Sequence, residues 1–146
     1  MVGLSTQLFG QEALSEGTPL LTAADPLGDL RASLRGELLT SADPAYDEAR
    51  KLWNGMIDKR PAAIARCAGT ADVISAVKFA QSNDLAVSVR GGGHNVAGKA
   101  LRDDALAIDL SAMKGLRVDP KAKSARAQAG VTWGEFDRET VSFDLV

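Results

Sequence analysis

An α+β fold is expected for this chain, an α/β lobe first and an antiparallel lobe after it. Three observations point there. Ala62–Arg90 carries strand, helix and strand signals within the length of one βαβ unit. A run of glycines, Gly91–Gly93, follows the second strand directly. Beyond it come short apolar segments divided by turns, with no room for helices between them, which is the spacing of antiparallel pairs.

The elements follow in order. Residues 1–26 read as a flexible N-terminal arm, broken by Ser5, Gln7, Gly10, Ser15, Gly17, Pro19 and Pro26. Residues 27–146 form the domain. Leu27, Leu30, Leu34 and Leu38 give Leu27–Leu39 a weak helical period. Asp43-Pro44 reads as a helix start, with Asp43 as N-cap and a helix through Tyr46 and Leu52 to Trp53, stopped by Asn54-Gly55. Ala62–Cys67 reads as a strand. Thr70 caps the next helix, Asp72 suits its first turn, and Val73, Ile74, Val77 and Ala80 share a face. Ser82-Asn83-Asp84 ends it. Leu85, Val87 and Val89 then alternate with Ala86 and Ser88, a strand with one more apolar face. The two strands of this unit are expected to be parallel, with a right-handed crossover. Leu106–Leu110, Gly115–Val118 and Ser124–Ala129 are candidate strands, paired antiparallel, with a turn at Asp119-Pro120. Thr132 and Glu135 make a capping box for a helix Trp133–Glu139, and Phe143–Val146 begins another apolar segment.

Composition excludes several classes of function. With 146 residues the chain suits one domain with a single core. The net charge is -2 and the basic residues are scattered, so no nucleic-acid partner is expected. Cys67 is the single cysteine and reads as a small buried hydrophobe. With one cysteine and one histidine, His94, the chain has neither an internal disulfide nor a Cys or His metal cluster. Met1–Phe9 has no Lys or Arg, no signal-length apolar run and no twin-Arg pattern. No stretch approaches the roughly 20 apolar residues of a membrane span. A cytoplasmic protein with no membrane partner is expected.

The informative segment is Arg90-Gly91-Gly92-Gly93-His94-Asn95-Val96-Ala97-Gly98-Lys99. It lies past the carboxyl end of a strand, where open α/β sheets bind ligands. Consecutive glycines let backbone approach a ligand closely, and their successive N–H groups form an anion-binding concavity. Arg90 can add charge-assisted hydrogen bonds to the same anion. Three readings compete. A Rossmann fingerprint counted from Gly91 needs glycine where Val96 stands. A P-loop pattern from Gly93 to Lys99 fails at Ala100, which cannot place a hydroxyl on Mg²⁺. The third is a flavin anchor, in which His94 stands beside the dinucleotide and its neutral imidazole is a competent nucleophile. Set against it is a plain glycine turn with an exposed or packing histidine.

At these residues the chain resembles the FAD-linked oxidases of the vanillyl-alcohol-oxidase/PCMH fold, within them the berberine-bridge-enzyme-like and 6-hydroxy-D-nicotine-oxidase-like group. The pattern there is an Arg, a glycine run and a His joined to the flavin. The resemblance includes Trp53-Asn54, Pro61, Ile108–Met113, Val118-Asp119-Pro120 and Gly130–Gly134, and covers roughly Gly36–Thr140, the span of an ordinary domain. It implies FAD bound covalently through a ring nitrogen of His94 to the flavin 8α carbon. Gly91, Gly92, Gly93 and His94 would cradle the pyrophosphate, with Arg90 flanking the loop and Asn95 and Gly98 continuing it. Asp109, Leu110 and Ser111 would lie near the cofactor, and Gly130 would permit close backbone approach. The implied reaction is dehydrogenation of an alcohol, sugar or amine-type small molecule, with O₂ as acceptor.

Other features have plainer readings. Trp53 and Trp133 are expected to pack, Asp103-Asp104 to form a solvated turn, and Lys99, Arg102, Lys121 and Lys123 to solvate the surface. The family continues with a second glycine-rich region and a substrate domain, whereas the sequence ends at Val146. The domain is therefore expected to be C-terminally incomplete: a fragment, a truncated reading frame or a chain completed by a partner. Catalytic residues are not assigned, Cys67 is not given the second flavin linkage of some relatives, and the chain alone is expected to be inactive. Two rivals remain: a catalytically silent dinucleotide- or phosphate-binding module, and a P-loop-like nucleotide binder.

Overall fold

The computed structural model describes residues 26–145. The expected N-terminal arm lies almost wholly outside them, as does Val146. Helix α1 (Pro26–Ser33) leads into strand β1 (Glu37–Leu39), and a short helix α2 (Tyr46–Ala49) follows. Next come β2 (Ala63–Arg66), α3 (Thr70–Ser82) and β3 (Val87–Arg90). Then come β4 (Leu106–Asp109), a hairpin of β5 (Leu116–Asp119) and β6 (Ser124–Ala127), and α4 (Trp133–Val141).

The main sheet has the order β1-β2-β4-β3. β1 runs antiparallel to β2, and β2, β4 and β3 are mutually parallel. The βαβ unit is therefore present with its two strands parallel, but β4 is inserted between them. This corrects the expectation that Leu106–Leu110 pairs antiparallel with its successors. The reason lies in β4's composition: all four residues are buried, as a central strand covered on both faces requires. The long Gly91–Ala105 connection gives the chain the length to return for a parallel pairing. The antiparallel expectation holds for β5 and β6, which pair Leu116 with Ala127 through Asp119 with Ser124.

Alternate residues of the central strands feed two cores. Ala63, Ala65, Cys67, Leu106 and Ile108 face α1 and α3, meeting Leu30, Ala76 and Ala80. Ile64 and Ala107 face the other way, onto Leu39, Tyr46, Leu52, Ala100 and Leu101. The second core holds up the Gly91–Ala105 connection from below.

Five local expectations fail for identifiable reasons. Leu38 lies in β1, and the helix that carries Leu27 and Leu30 ends at Ser33, before Leu34. The Arg35 and Gly36 N–H groups donate to the Asp72 carboxylate at 3.0 and 3.1 Å, which stops α1. Tyr46 and Leu52 bury in the same core, but six residues apart on one helix they would point about 120° apart. So α2 ends at Ala49, and Asp43 turns its carboxylate back to the Thr40 N–H at 2.7 Å. On α3 the buried line is Asp72, Ala76 and Ala80, leaving Ile74 and Val77 exposed. Thr70 begins that helix, but Gly69 is its N-cap and no side chain caps it. On β3 the valines face outward and Ser88 is buried, because β3 is an edge strand beyond the cover of α3.

Asp72 is buried and also accepts the Ala68 N–H at 2.7 Å. Burial raises its pKa, but the N–H groups of Arg35, Ala68 and Gly36 and the charge of Arg35 outweigh this and hold it below the usual carboxylate value. The capping box at α4 is present as expected, with Thr132 accepting the Glu135 N–H and Glu135 accepting the Thr132 N–H. Lys114, then the Thr132 N–H and hydroxyl, bring Glu135 down to about 2. Among the described residues no helix is long and apolar enough to cross a membrane.

Candidate functional site

The parallel register sets the site. Arg66 and Arg90 both stand opposite Asp109, so the last residues of β2, β4 and β3 form a row at one end of the sheet. Asp109 is buried between Arg66 Nε and Arg90 Nη1, each 3.9 Å from its Oδ2. Its Oδ1 accepts the Ser111 N–H at 2.9 Å, which turns the chain sharply after β4. The Leu110 N–H donates to the Arg90 carbonyl at 2.8 Å, so the two loops leave the sheet tied together.

The Arg90 side chain runs inward. Nη1 donates to the Ala49 carbonyl at the end of α2, and Nε is buried with no hydrogen-bond partner among the described residues. The guanidinium thus lies beneath the glycine loop, joining it to α2 and Asp109. The sequence predicts that it points toward the anion, and the structure turns it to α2 instead. Arg66, a charge that closes an otherwise apolar strand, joins it beside Asp109 with no local pattern to foretell it.

In the loop, Gly93 has φ +73°, a conformation that side chains disfavour. A Cβ on Gly91 would stand 2.6 Å from the Ala129 carbonyl oxygen. The N–H groups of Gly91, Gly92, Gly93, His94 and Asn95 meet no acceptor among the described residues. Asn95 closes the loop by accepting the Gly98 N–H on its carbonyl and the Lys99 N–H on its side chain, both at 3.0 Å. Gly98 has φ +69° and lies against Ile57. Val89, Gly91–Asn95, Lys99 and Ala100 line an open hollow of about 310 Å³, with His94 exposed on it.

Gly130 ties the hairpin to this end of the sheet. Its N–H donates to the Met113 carbonyl at 3.1 Å. A Cβ there would run into the Leu110 carbonyl and come within 2.6 and 2.8 Å of those of Ser111 and Met113. The structure therefore gathers Arg90–Asn95, Gly98, Asp109–Ser111 and Gly130 around the carboxyl ends of the parallel strands.

Other expectations separate here. Cys67 is fully buried, and burial, aided by the charges of Asp72 and Asp109, pushes its thiol up to about 11. It is the inert hydrophobe expected. Asp103-Asp104 forms the expected exposed turn and also holds the Arg60 N–H and Lys59 Nζ, each at 2.7 Å. Neither tryptophan packs into a core, although the Trp133 ring meets Phe136 edge-on at 5.7 Å. Trp53 is 71% exposed and Trp133 is 79% exposed. The Trp53 indole instead lies 5.8 Å from the His94 ring, tilted by 34°. No helix begins at Lys99, so the P-loop reading loses the helix N-terminus that would face a phosphate.

Residues 61–146 match the family described as the FAD binding domain. The chain belongs to that family. A curated relative of this FAD-binding domain, (R)-6-hydroxynicotine oxidase of Paenarthrobacter nicotinovorans, is 36% identical over 113 residues, 77% of this chain and 25% of the relative. The solved structure of 6-hydroxy-D-nicotine oxidase from Arthrobacter nicotinovorans superposes with TM-score 0.72 at 33% identity, covering 88% of this chain and 26% of that one. Wild-type Phl p 4.0202, a glucose dehydrogenase, gives TM-score 0.73 at 25% identity, over 82% of this chain and 26% of that one. The fold is that of the PCMH-type FAD-binding domains, and the relatives are FAD-linked oxidoreductases. The chain spans about a quarter of the length of these relatives.

Proposed function

We propose that this domain holds FAD with its pyrophosphate on the amides of Gly91–Asn95 and its flavin joined to His94. The protein it serves would be an oxidoreductase that dehydrogenates an alcohol, sugar or amine-type small molecule and passes the electrons to O₂. The observation that carries this reading is the row of five adjacent N–H groups, from Gly91 to Asn95, that meet no acceptor among the described residues, with the exposed His94 imidazole beside them. Adjacent N–H groups of this kind are what an anion-binding concavity is made of, and side chains at Gly91 or Gly93 would strain the loop that carries them. FAD would supply the two-electron chemistry.

The chain's own residues have distinct tasks in this account. Arg90 stiffens the loop from below through its bond to the Ala49 carbonyl. Asp109 neutralises and orients Arg90. Leu110, Ser111 and Gly130 shape the backbone on which the other side of the cofactor rests. Asn95 and Gly98 set the turn that presents His94.

The test is His94→Ala in the full-length product of the gene. Wild-type protein is expected to keep its flavin through denaturation, and the variant to release it. Release from both proteins would leave a non-covalent FAD site. A protein that takes up no flavin at all would reduce the domain to a silent binding module.

A further inference from the structure

The segment that joins α2 to β2 carries more than a connection requires. Leu52 is anchored in the second core. The next two residues then reach across to the glycine loop on either side of His94. The Trp53 N–H donates to the Gly93 carbonyl at 3.3 Å, and Asn54 Nδ2 donates to the Val96 carbonyl at 3.2 Å. Asn54 is itself fixed, because its Oδ1 accepts the Met56 N–H at 3.1 Å. The backbone that bears His94 is thus held before and after the residue by one strap.

The imidazole is confined as well. A Cβ on Gly92 would lie 3.1 Å from His94 Cδ2, so the ring lies close against the Gly92 backbone. The Trp53 indole is a neighbour at 5.8 Å, within the range of favourable aromatic pairs. Among the described residues no core holds Trp53, and they leave 71% of its surface exposed. Among the described residues its ring has one aromatic partner, His94.

We propose that Trp53 is a positioning residue for covalent attachment of the flavin, holding the His94 imidazole so that a ring nitrogen faces the 8α carbon. This rests on the reading of His94 as the anchor. In the attachment step a C–N bond replaces one C–H bond of the 8α methyl and the N–H of the imidazole. Two protons leave, and two electrons pass to the flavin and from it to O₂. Trp53 takes no part in that exchange of bonds. It narrows the orientations of the nucleophile, which is a contribution to rate.

The experiment adds FAD to full-length apoprotein in air and follows two quantities. One is total bound flavin, and the other is flavin that survives denaturation on the protein. Wild type, Trp53→Ala and Trp53→Phe are compared, with circular dichroism confirming that each is folded. Trp53→Ala is expected to bind flavin yet fix it roughly three- to tenfold more slowly than wild type. Trp53→Phe, which keeps an aromatic face, is expected to recover most of the rate. Equal rates in wild type and Trp53→Ala would overturn the inference. So would equal slowing in both variants, which would mark the position as merely structural. A wild type that binds FAD but never fixes it would overturn the anchor itself, and the role of Trp53 with it.

Discussion

The parallel-sheet lobe and the β5–β6 hairpin with α4 are built on opposite economies of burial. In the lobe, β2 and β4 are covered on both faces, and Ile64, Ala65 and Ala107 are wholly removed from solvent. In the hairpin every residue of β6 is exposed, and Trp133, Val141 and Phe143 of the following segment show large apolar surfaces. The lobe stands on its own core. The hairpin is secured by a few polar ties: Gly130 to Met113, the Gly115 N–H to Gln128, and Lys114 to Glu135. The covered sheet thus carries the glycine loop at its end, while the hairpin sets Ala129 against Gly91 and braces the turn after β4.

The largest expected effect breaks this contrast at its centre. Ile108→Ala empties a position on β4 that is 2% exposed and should cost about 2–5 kcal/mol. Val118→Ala in the hairpin should stay within about 1 kcal/mol. Urea denaturation of both variants checks the pair, and comparable losses would mean that the hairpin shares the core.

Next in size is Asp72→Ala, which strips the acceptor from three backbone N–H groups and should cost on the order of 3 kcal/mol. The same carboxylate gives the lobe a pH dependence. Its folded pKa lies below its ordinary 3.8, so its stabilising effect is complete above that value. The effect fades as pH falls through the folded pKa. Asp72→Asn should therefore be less stable at neutral pH and lose less on acidification, as thermal midpoints across acid pH would show.

Smaller again is Gly130→Ala. The added methyl meets backbone carbonyls that cannot swing aside, and about 1–3 kcal/mol of strain is expected. Hydrogen exchange should rise in Ser111–Val131 and stay unchanged in β2 and β4. Uniform loosening would contradict the division into two regions.

The sequence was legible where pattern and physics coincide. The strand–helix–strand unit, the α4 capping box and the hairpin turn each rest on local rules. The glycine loop was legible because Gly93 takes a positive φ and Gly91 leaves no room for a Cβ. What escaped depended on tertiary contacts. β4 looks like the first strand of a meander until its burial on both faces is known. Leu38 continues a leucine period, yet Asp72, distant in sequence, takes the N–H groups that end the helix. Trp53 resembles a core residue by composition, but its ring meets His94, a contact that no local pattern foretells.

The central claim is that His94 carries the flavin, and one measurement addresses it directly. The full-length protein is denatured, freed of unbound flavin and digested, and the peptide containing His94 is examined by fluorescence and mass. The account predicts a fluorescent peptide heavier by the attached flavin nucleotide. A colourless peptide of unmodified mass, from protein that had been yellow before denaturation, would contradict it.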